Sequence, residues 1–165
     1  MNARLRSVAI IAGVVIVDRI TKPYIQRNFS PFDTKVVIAG FFNIVHAENP
    51  GAAFGFLSES TSQWRGVLLV GVSLAVMAII GAMLFRPGVK KTPLLETALA
   101  LVFGGAAGNM WDRLFRGTVT DFLQFFFGNY EFPSFNAADS AITVGACLLL
   151  IDLWINRTEK NLLGR

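Results

Sequence analysis

Four stretches of the chain stay apolar long enough to cross a bilayer: residues 7–24, 65–85, 93–114 and 137–155. A helix needs about 20 residues, at about 1.5 Å each, to traverse hydrocarbon about 30 Å thick. The second stretch is the most uniformly apolar. The third opens on Thr92 and Pro93, an N-cap hydroxyl followed by a residue whose missing N–H costs nothing in the first turn. The fourth follows Pro133 and stops at the polar pair Asn156 and Arg157. The first imitates a secretory signal, with Arg4 and Arg6 ahead of the apolar residues 8–17. Asp18, Arg19 and Lys22 then replace a small-residue cleavage site, so it reads as a retained signal-anchor helix.

Between the first two stretches the pattern changes. Residues 36–45 are rich in β-branched and aromatic side chains, and Asn49-Pro50-Gly51 supplies a turn. These features predict a small sheet lying on the membrane surface. Phe41, Phe42, Phe54 and Phe56, and after the third stretch Phe125, Phe126, Phe127 and Tyr130, suit the lipid–water boundary. The expected fold is an all-α integral membrane protein with four transmembrane helices. A small extracytoplasmic β-sheet and loop at the membrane surface complete a single domain over residues 1–165.

Composition supports this reading and narrows the function. Of 165 residues, 53% are hydrophobic and only 16% charged. Mean hydropathy is +0.53, which a water-soluble domain of this size has too little polar surface to cover. The charge of +4 is better read as topology than as affinity for nucleic acid, because the basic residues are grouped. Arg4 and Arg6, then Arg86, Lys90 and Lys91, then Arg157, Lys160 and Arg165 fall on one side of four spans. Both termini are then cytoplasmic, and residues 25–64 and 115–136 lie outside, with Arg27, Lys35 and Arg116 as exceptions. The single cysteine, Cys147, sits in an apolar run and reads as a small core residue; it allows neither an internal disulfide nor a thiolate metal site. The single histidine, His46, has no H-E-x-x-H partner, and G-x-S-x-G is absent. No metal or cofactor is expected. A Ser140–Lys22 nucleophile pair stays open, without support from spacing.

Polar residues within or beside the spans carry the chemistry, since a charge in hydrocarbon costs several kcal/mol unless it is paired. Asp18 and Lys22 share a helix face, as do Asn109 and Arg113. Asp112 and Arg113 end the third span, Asp121 lies in the connection after it, and Asp139 starts the fourth. All converge at the extracytoplasmic boundary. Two carboxylates in a partly dry site do not both ionise easily. One then deprotonates water while the other hydrogen-bonds a scissile carbonyl, as an aspartyl protease requires. Plainer readings stand beside this one. Asn136 with Asp139 three residues on matches an N-cap with an acidic N3 residue. Asp18–Lys22 and Asp112–Arg113 match structural ion pairs, and Gly104, Gly105 and Gly108 match a helix-packing face. A small carrier would also hold Asp, Asn and Arg among helices, but at the midplane and with repeat symmetry, and no repeat is visible. A scaffold leaves two carboxylates unexplained.

The peptides Asp18-Arg19-Ile20-Thr21-Lys22, Asn49-Pro50-Gly51-Ala52-Ala53-Phe54, Gly104 through Arg113, Val119-Thr120-Asp121-Phe122 and Phe135-Asn136-Ala137-Ala138-Asp139 resemble, in order, the motifs of lipoprotein signal peptidases (signal peptidase II). The resemblance covers nearly the whole chain. It implies Asp121 and Asp139 as the catalytic dyad, with Asn49, Asn109, Arg113 and Asn136 holding substrate and dyad, and Asp18 and Lys22 supporting the site. Arg19 stands where many relatives are expected to carry an amide, a departure that touches no assigned role. The implied substrate is a diacylglyceryl-modified prolipoprotein, cut before its lipidated cysteine. The implied enzyme is a monomeric multi-pass protein of the bacterial plasma (inner) membrane, in contact with lipid and working near the extracytoplasmic face.

Overall fold

The protein was analysed as a computed structural model describing residues 2–51, 62–87 and 91–163, with residues 62–65 and 157–163 as backbone. Four helices and four strands follow one another: α1 (Ala3–Asn28), β1 (Thr34–Ile38), β2 (Phe42–Asn49), α2 (Ser62–Phe85), α3 (Pro93–Arg116), β3 (Val119–Phe127), β4 (Tyr130–Phe135) and α4 (Ala137–Leu163). The four apolar stretches are all helical, and each helix outruns its stretch. α4 continues through Asn156, where the sequence predicted a stop. Phe54, Phe56, Lys90 and Arg165 lie outside the described residues, as do the side chains of Arg157 and Lys160.

Local chemistry accounts for the ends. The Asn2 side chain accepts the Arg4 N–H at the start of α1, and Thr92 Oγ1 accepts the Leu95 N–H ahead of Pro93 in α3. α3 stops at Gly117, whose φ of 76° is the left-handed cap conformation glycine adopts without strain. Gly66–Phe85 in α2 and Ala137–Asn156 in α4 are long and apolar enough to cross a membrane. α1 and α3 are as long but interrupted by Asp18, Arg19 and Lys22, and by Glu96, Asn109, Asp112 and Arg113.

α3 is the central helix, packed against α1, α2 and α4. Small residues let the backbones approach: a Cβ added at Gly104 would lie 2.9 Å from Val14 Cβ of α1, and one at Gly105 only 2.4 Å from the Ala138 carbonyl oxygen of α4. The glycine face is therefore a packing surface on two sides. At one end of the bundle Arg6 bonds Glu96, and Thr92 bonds Asp152, which also accepts from Asn156. These contacts tie the start of α1 to the start of α3, and the start of α3 to α4.

Burial runs opposite to that of a water-soluble bundle. The largest fully buried side chains are Lys22, Leu99, Asn136, Thr120, Asp18 and Asp112, while Leu68, Leu74, Ile79, Leu150 and Trp154 face outward. The exterior is apolar, and the buried polar side chains lie in the same bundle as an apolar cluster of Ile80, Leu84, Leu99, Ala100 and Val102. Cys147 also faces outward, correcting its reading as a core residue: it lies on the outer surface of α4.

At the other end of the bundle lies an antiparallel sheet in the order β1-β2-β3-β4. The sequence placed a sheet only in the first outer segment. The second outer segment supplies two further strands, so Asp121 sits on a strand rather than in a connection. A register shift between Ile44 and Ala47 sets Ala47 opposite Asp121 and Asn49 opposite Val119. Phe42 stacks on Phe125 at 4.7 Å, Phe125 on Phe135 at 5.8 Å, and Phe41 meets Phe125 edge-on. These rings stiffen one face of the strand that carries Asp121.

Candidate active site

Five elements, α1, β2, α3, β3 and α4, converge where the sheet meets the bundle. One α1 face presents Asp18 and Lys22, four residues apart, and α3 presents Gly108, Asn109 and Asp112 toward it. A Cβ at Gly108 would lie 2.8 Å from Asp18 Oδ2, so only glycine lets the Asp18 carboxylate pass this close to α3. Lys22 Nζ lies 2.7 Å from Asp18 Oδ1 and 2.7 Å from Asp112 Oδ2. Arg19 Nη2 completes the cluster, 2.5 Å from Asp18 Oδ2 and 2.7 Å from Asp112 Oδ1. Two cations thus bridge two carboxylates across the α1–α3 seam.

This arrangement corrects two expectations. Asp112 does not pair with Arg113; its oxygens are taken by Arg19 and Lys22, because α3 turns Asp112 toward α1 and Arg113 toward α2 and α4. Arg19, assigned no role from sequence, is a structural member of the cluster. The signal was present in the spacing: Asp18 and Lys22 form one helical stripe, Gly108 and Asp112 another, and opposite charges on facing stripes attract. The Ser140–Lys22 pair does not form. Lys22 is fully engaged, and Ser140 Oγ donates to the Asn136 carbonyl at 3.0 Å.

Asp121 and Asp139 are held by three asparagine side chains and one backbone amide. Asn49 Nδ2 donates to Asp121 Oδ2 at 2.9 Å, and Asn136 Nδ2 donates to Asp121 Oδ1 at 2.7 Å. Asn109 Nδ2 donates to Asp139 Oδ1 at 2.7 Å, and the Asn136 N–H donates to Asp139 Oδ2 at 3.1 Å. The Asp139 N–H in turn donates to Asn136 Oδ1 at 3.0 Å, so the residues form a capping box as well. The cap reading of Asp139 holds, and the same Asn136 that caps the helix bonds Asp121 through its side chain.

Burial pushes Asp121 up to about 6; the Asn49 and Asn136 hydrogen bonds and the charge of Lys22 oppose the rise, and the charge of Asp139 adds to it. The folded value lies above the ordinary 3.8. Asp121 therefore contributes stability that is fully present below the unfolded value and lost as pH rises through about 6. Asp121→Asn should remove that component. Thermal midpoints measured from pH 4 to pH 8 should fall less steeply in the variant than in the parent, and equal slopes would contradict the burial argument.

A cavity of about 230 Å³ opens beside Asp139, lined by Val72, Val76, Val102, Ala106 and Ile142 together with Asn109, Arg113 and Asp139 itself. Arg113 Nε is buried there without a hydrogen-bond partner among the described residues. His46 lies apart from the pair. Its Nδ1 meets the Phe29 carbonyl at 2.8 Å and its Nε2 meets Glu48 Oε1 at 2.9 Å, so it pins β2 to the end of α1. Burial works to raise the Glu48 pKa, but hydrogen bonds from Thr118, His46 and Thr120, with the charge of Arg116, outweigh it and bring Glu48 below the ordinary carboxylate value. Among the described residues no group of three His, Cys, Asp or Glu side chains is placed to hold a metal ion.

A helix-rich protein with an apolar exterior and two carboxylates, Asp121 and Asp139, held by one amide network has the features of a membrane peptidase of the aspartic type. The chain belongs to the signal peptidase II family, whose sequence profile, signal peptidase (SPase) II, matches residues 10–155. It is 47% identical over 156 residues to a lipoprotein signal peptidase of Solibacter usitatus (strain Ellin6076), covering 92% of each chain. It is 38% identical over 152 residues to that of Yersinia pseudotuberculosis serotype O:1b (strain IP 31758), covering 92% of this chain and 88% of the relative. A bacterial membrane enzyme solved by the in meso method superposes with a TM-score of 0.82 at 32% identity, covering 94% of this chain and 91% of the other. A second such enzyme gives 0.78 at 33% identity, covering 90% and 92%.

Proposed function

We propose that Asp121 and Asp139 are the catalytic pair with which this chain removes the signal peptide from diacylglyceryl-modified prolipoproteins, cutting before the lipidated cysteine. The observation that carries the reading is the shared amide network: Asn136 bonds Asp121 through its side chain and Asp139 through its backbone N–H. Asp121, raised to about 6 by burial, suits the role of proton holder. It hydrogen-bonds the scissile carbonyl while the partner carboxylate takes a proton from water. The water oxygen bonds to the carbonyl carbon, and the tetrahedral intermediate collapses as the amine leaves with a proton. Asn49, Asn109 and Asn136 hold the carboxylates. Arg113, which lines the cavity, holds a substrate carbonyl. The apolar lining from Val72, Val76 and Ile142 fits the signal helix or an acyl chain. Asp18 and Lys22 support the site from α1.

The four helices all span, as a single monomeric domain in the bacterial plasma (inner) membrane, in contact with lipid. Arg4, Arg6, Arg86 and Lys91 share the bundle end away from the sheet, which supports cytoplasmic termini and a site at the extracytoplasmic face. A reporter fused after Pro87 should respond as cytoplasmic and one after Asn28 as external; the reverse pattern would sink the topology.

Reconstituted in bilayers, the protein should cleave a diacylglyceryl-modified precursor and leave one with serine in place of the cysteine intact. Cleavage should survive strong chelators, because the donors around the pair are amides, an arginine and a lysine rather than a ligand set. Loss of cleavage in chelator, restored by a divalent ion, would overturn the carboxylate mechanism.

A further inference from the structure

Lys22 does more than neutralise carboxylates. An ammonium group has three N–H donors. Lys22 Nζ donates a hydrogen bond to Asn109 Oδ1 at 2.9 Å, and it lies 2.7 Å from Asp18 Oδ1 and 2.7 Å from Asp112 Oδ2 as ion-pair contacts. Lys22 is 1% exposed, so no water competes for that donor. Asn109 is itself buried, and its Oδ1 also receives Asn136 Nδ2 at 3.3 Å. With its oxygen fixed between two donors, the Asn109 amide has one orientation, and its Nδ2 faces Asp139 Oδ1. The other two amides are oriented by backbone N–H groups: Gly51 N–H donates to Asn49 Oδ1 at 2.8 Å, and Asp139 N–H to Asn136 Oδ1. Only Asn109 depends on a distant side chain.

We propose that Lys22 is a positioning residue for Asp139 that acts by locking the Asn109 amide, with Arg19 hydrogen-bonding Asp18 and Asp112 so that the ammonium group donates to Asn109. The proposal rests on the reading of Asp121 and Asp139 as the catalytic pair. A flipped Asn109 would turn its oxygen toward Asp139, replacing an attraction with a repulsion and displacing the carboxylate from its place beside Asp121.

Simple removal of Lys22 leaves an uncompensated charge, so the test uses a balanced change. Lys22→Met combined with Asp18→Asn removes one charge of each sign and leaves Arg19 facing Asp112. With the lipidated precursor in bilayers, kcat should fall about 100-fold, the order expected when a catalytic group is misplaced by about 1 Å. KM should stay within about twofold, because substrate contacts are untouched. Lys22→Arg, which keeps N–H donors, should recover most of the lost turnover. Adding the balanced change to Asn109→Ala should cost less than about threefold beyond Asn109→Ala alone, since both act through one amide. Wild-type kcat in the balanced variant, additive losses, an arginine variant as impaired as the methionine one, or failure of the balanced variant to accumulate would each assign Lys22 to the fold alone and overturn the proposal. The catalytic-pair reading falls separately, on turnover in Asp121→Asn or Asp139→Asn.

Discussion

Asp121→Asn and Asp139→Asn should each reduce cleavage of the lipidated precursor by at least about 10⁴-fold, the upper range for loss of a positioned acid or base. Asparagine keeps the size of the side chain and one acceptor oxygen. At 121 that oxygen satisfies either Asn49 or Asn136, and the new amide nitrogen faces the other donor, so a modest loss of about 1 kcal/mol is expected against the gain from removing a buried carboxylate. The protein should still accumulate and bind a signal-peptide mimic, because Arg113 and the apolar cavity wall are unchanged. The double variant should be hardly slower than either single one, since the two groups act in the same step. If Asp139→Asn kept substantial turnover, its contribution would be the α4 cap alone, and the second carboxylate would have to be sought elsewhere. Asp112 would be a poor substitute, because both its oxygens are held by Arg19 and Lys22.

Gly105→Ala should give the next largest loss, although it touches no charged group. A Cβ there would lie 2.4 Å from the Ala138 carbonyl oxygen and 2.8 Å from Ile142 Cγ1. The first of these is backbone, which no rotamer change can move aside. α4 would have to retreat from α3, taking Asp139 from Asn109. Overpacking of this kind costs about 1–3 kcal/mol, and displacement of the carboxylate by about 1 Å should reduce turnover about 100-fold. Gly71→Ala on the outer face of α2 is the control: nothing lies within 4 Å of its added Cβ. It should leave cleavage unchanged and stabilise the helix by about 0.5–1 kcal/mol. Thermal midpoints and turnover of both variants decide the matter. Equal behaviour would mean that the α3–α4 contact does not position the pair.

Helix positions were legible in the sequence because hydropathy is a property of contiguous residues. Glycine packing was legible for a related reason, since Gly104 and Gly108 repeat on one face of one helix. The pairing of β2 with β3 was not. It joins residues 42–49 to 119–125 across two helices, and nothing local in Val119-Thr120-Asp121 announces a partner that far away. Asp18–Lys22 could be read from an i, i+4 spacing, whereas the partners of Asp112 could not. Its neighbour in sequence is Arg113, but on a helix adjacent residues point about 100° apart, and the true partners come from α1. The resemblance to a family supplied the candidate residues; the orientation of each amide came only from the three-dimensional contacts.

The inverted burial of this molecule bears on how its stability varies with temperature. In a water-soluble domain the stability curve bends because unfolding exposes apolar surface to water and raises the heat capacity. Here Leu68, Leu74, Ile79 and Leu150 already face outward in the folded state, and in the proposed four-span arrangement helices that separate within a bilayer would expose them only to acyl chains. What separation breaks is the contact of Arg19 and Lys22 with Asp18 and Asp112, the amide network around Asp121 and Asp139, and close backbone packing at the glycines. The heat capacity change of that process should therefore be small. In the proposed four-span arrangement, stability in the membrane should then decline almost linearly on warming, without the cold-side maximum of a water-soluble domain.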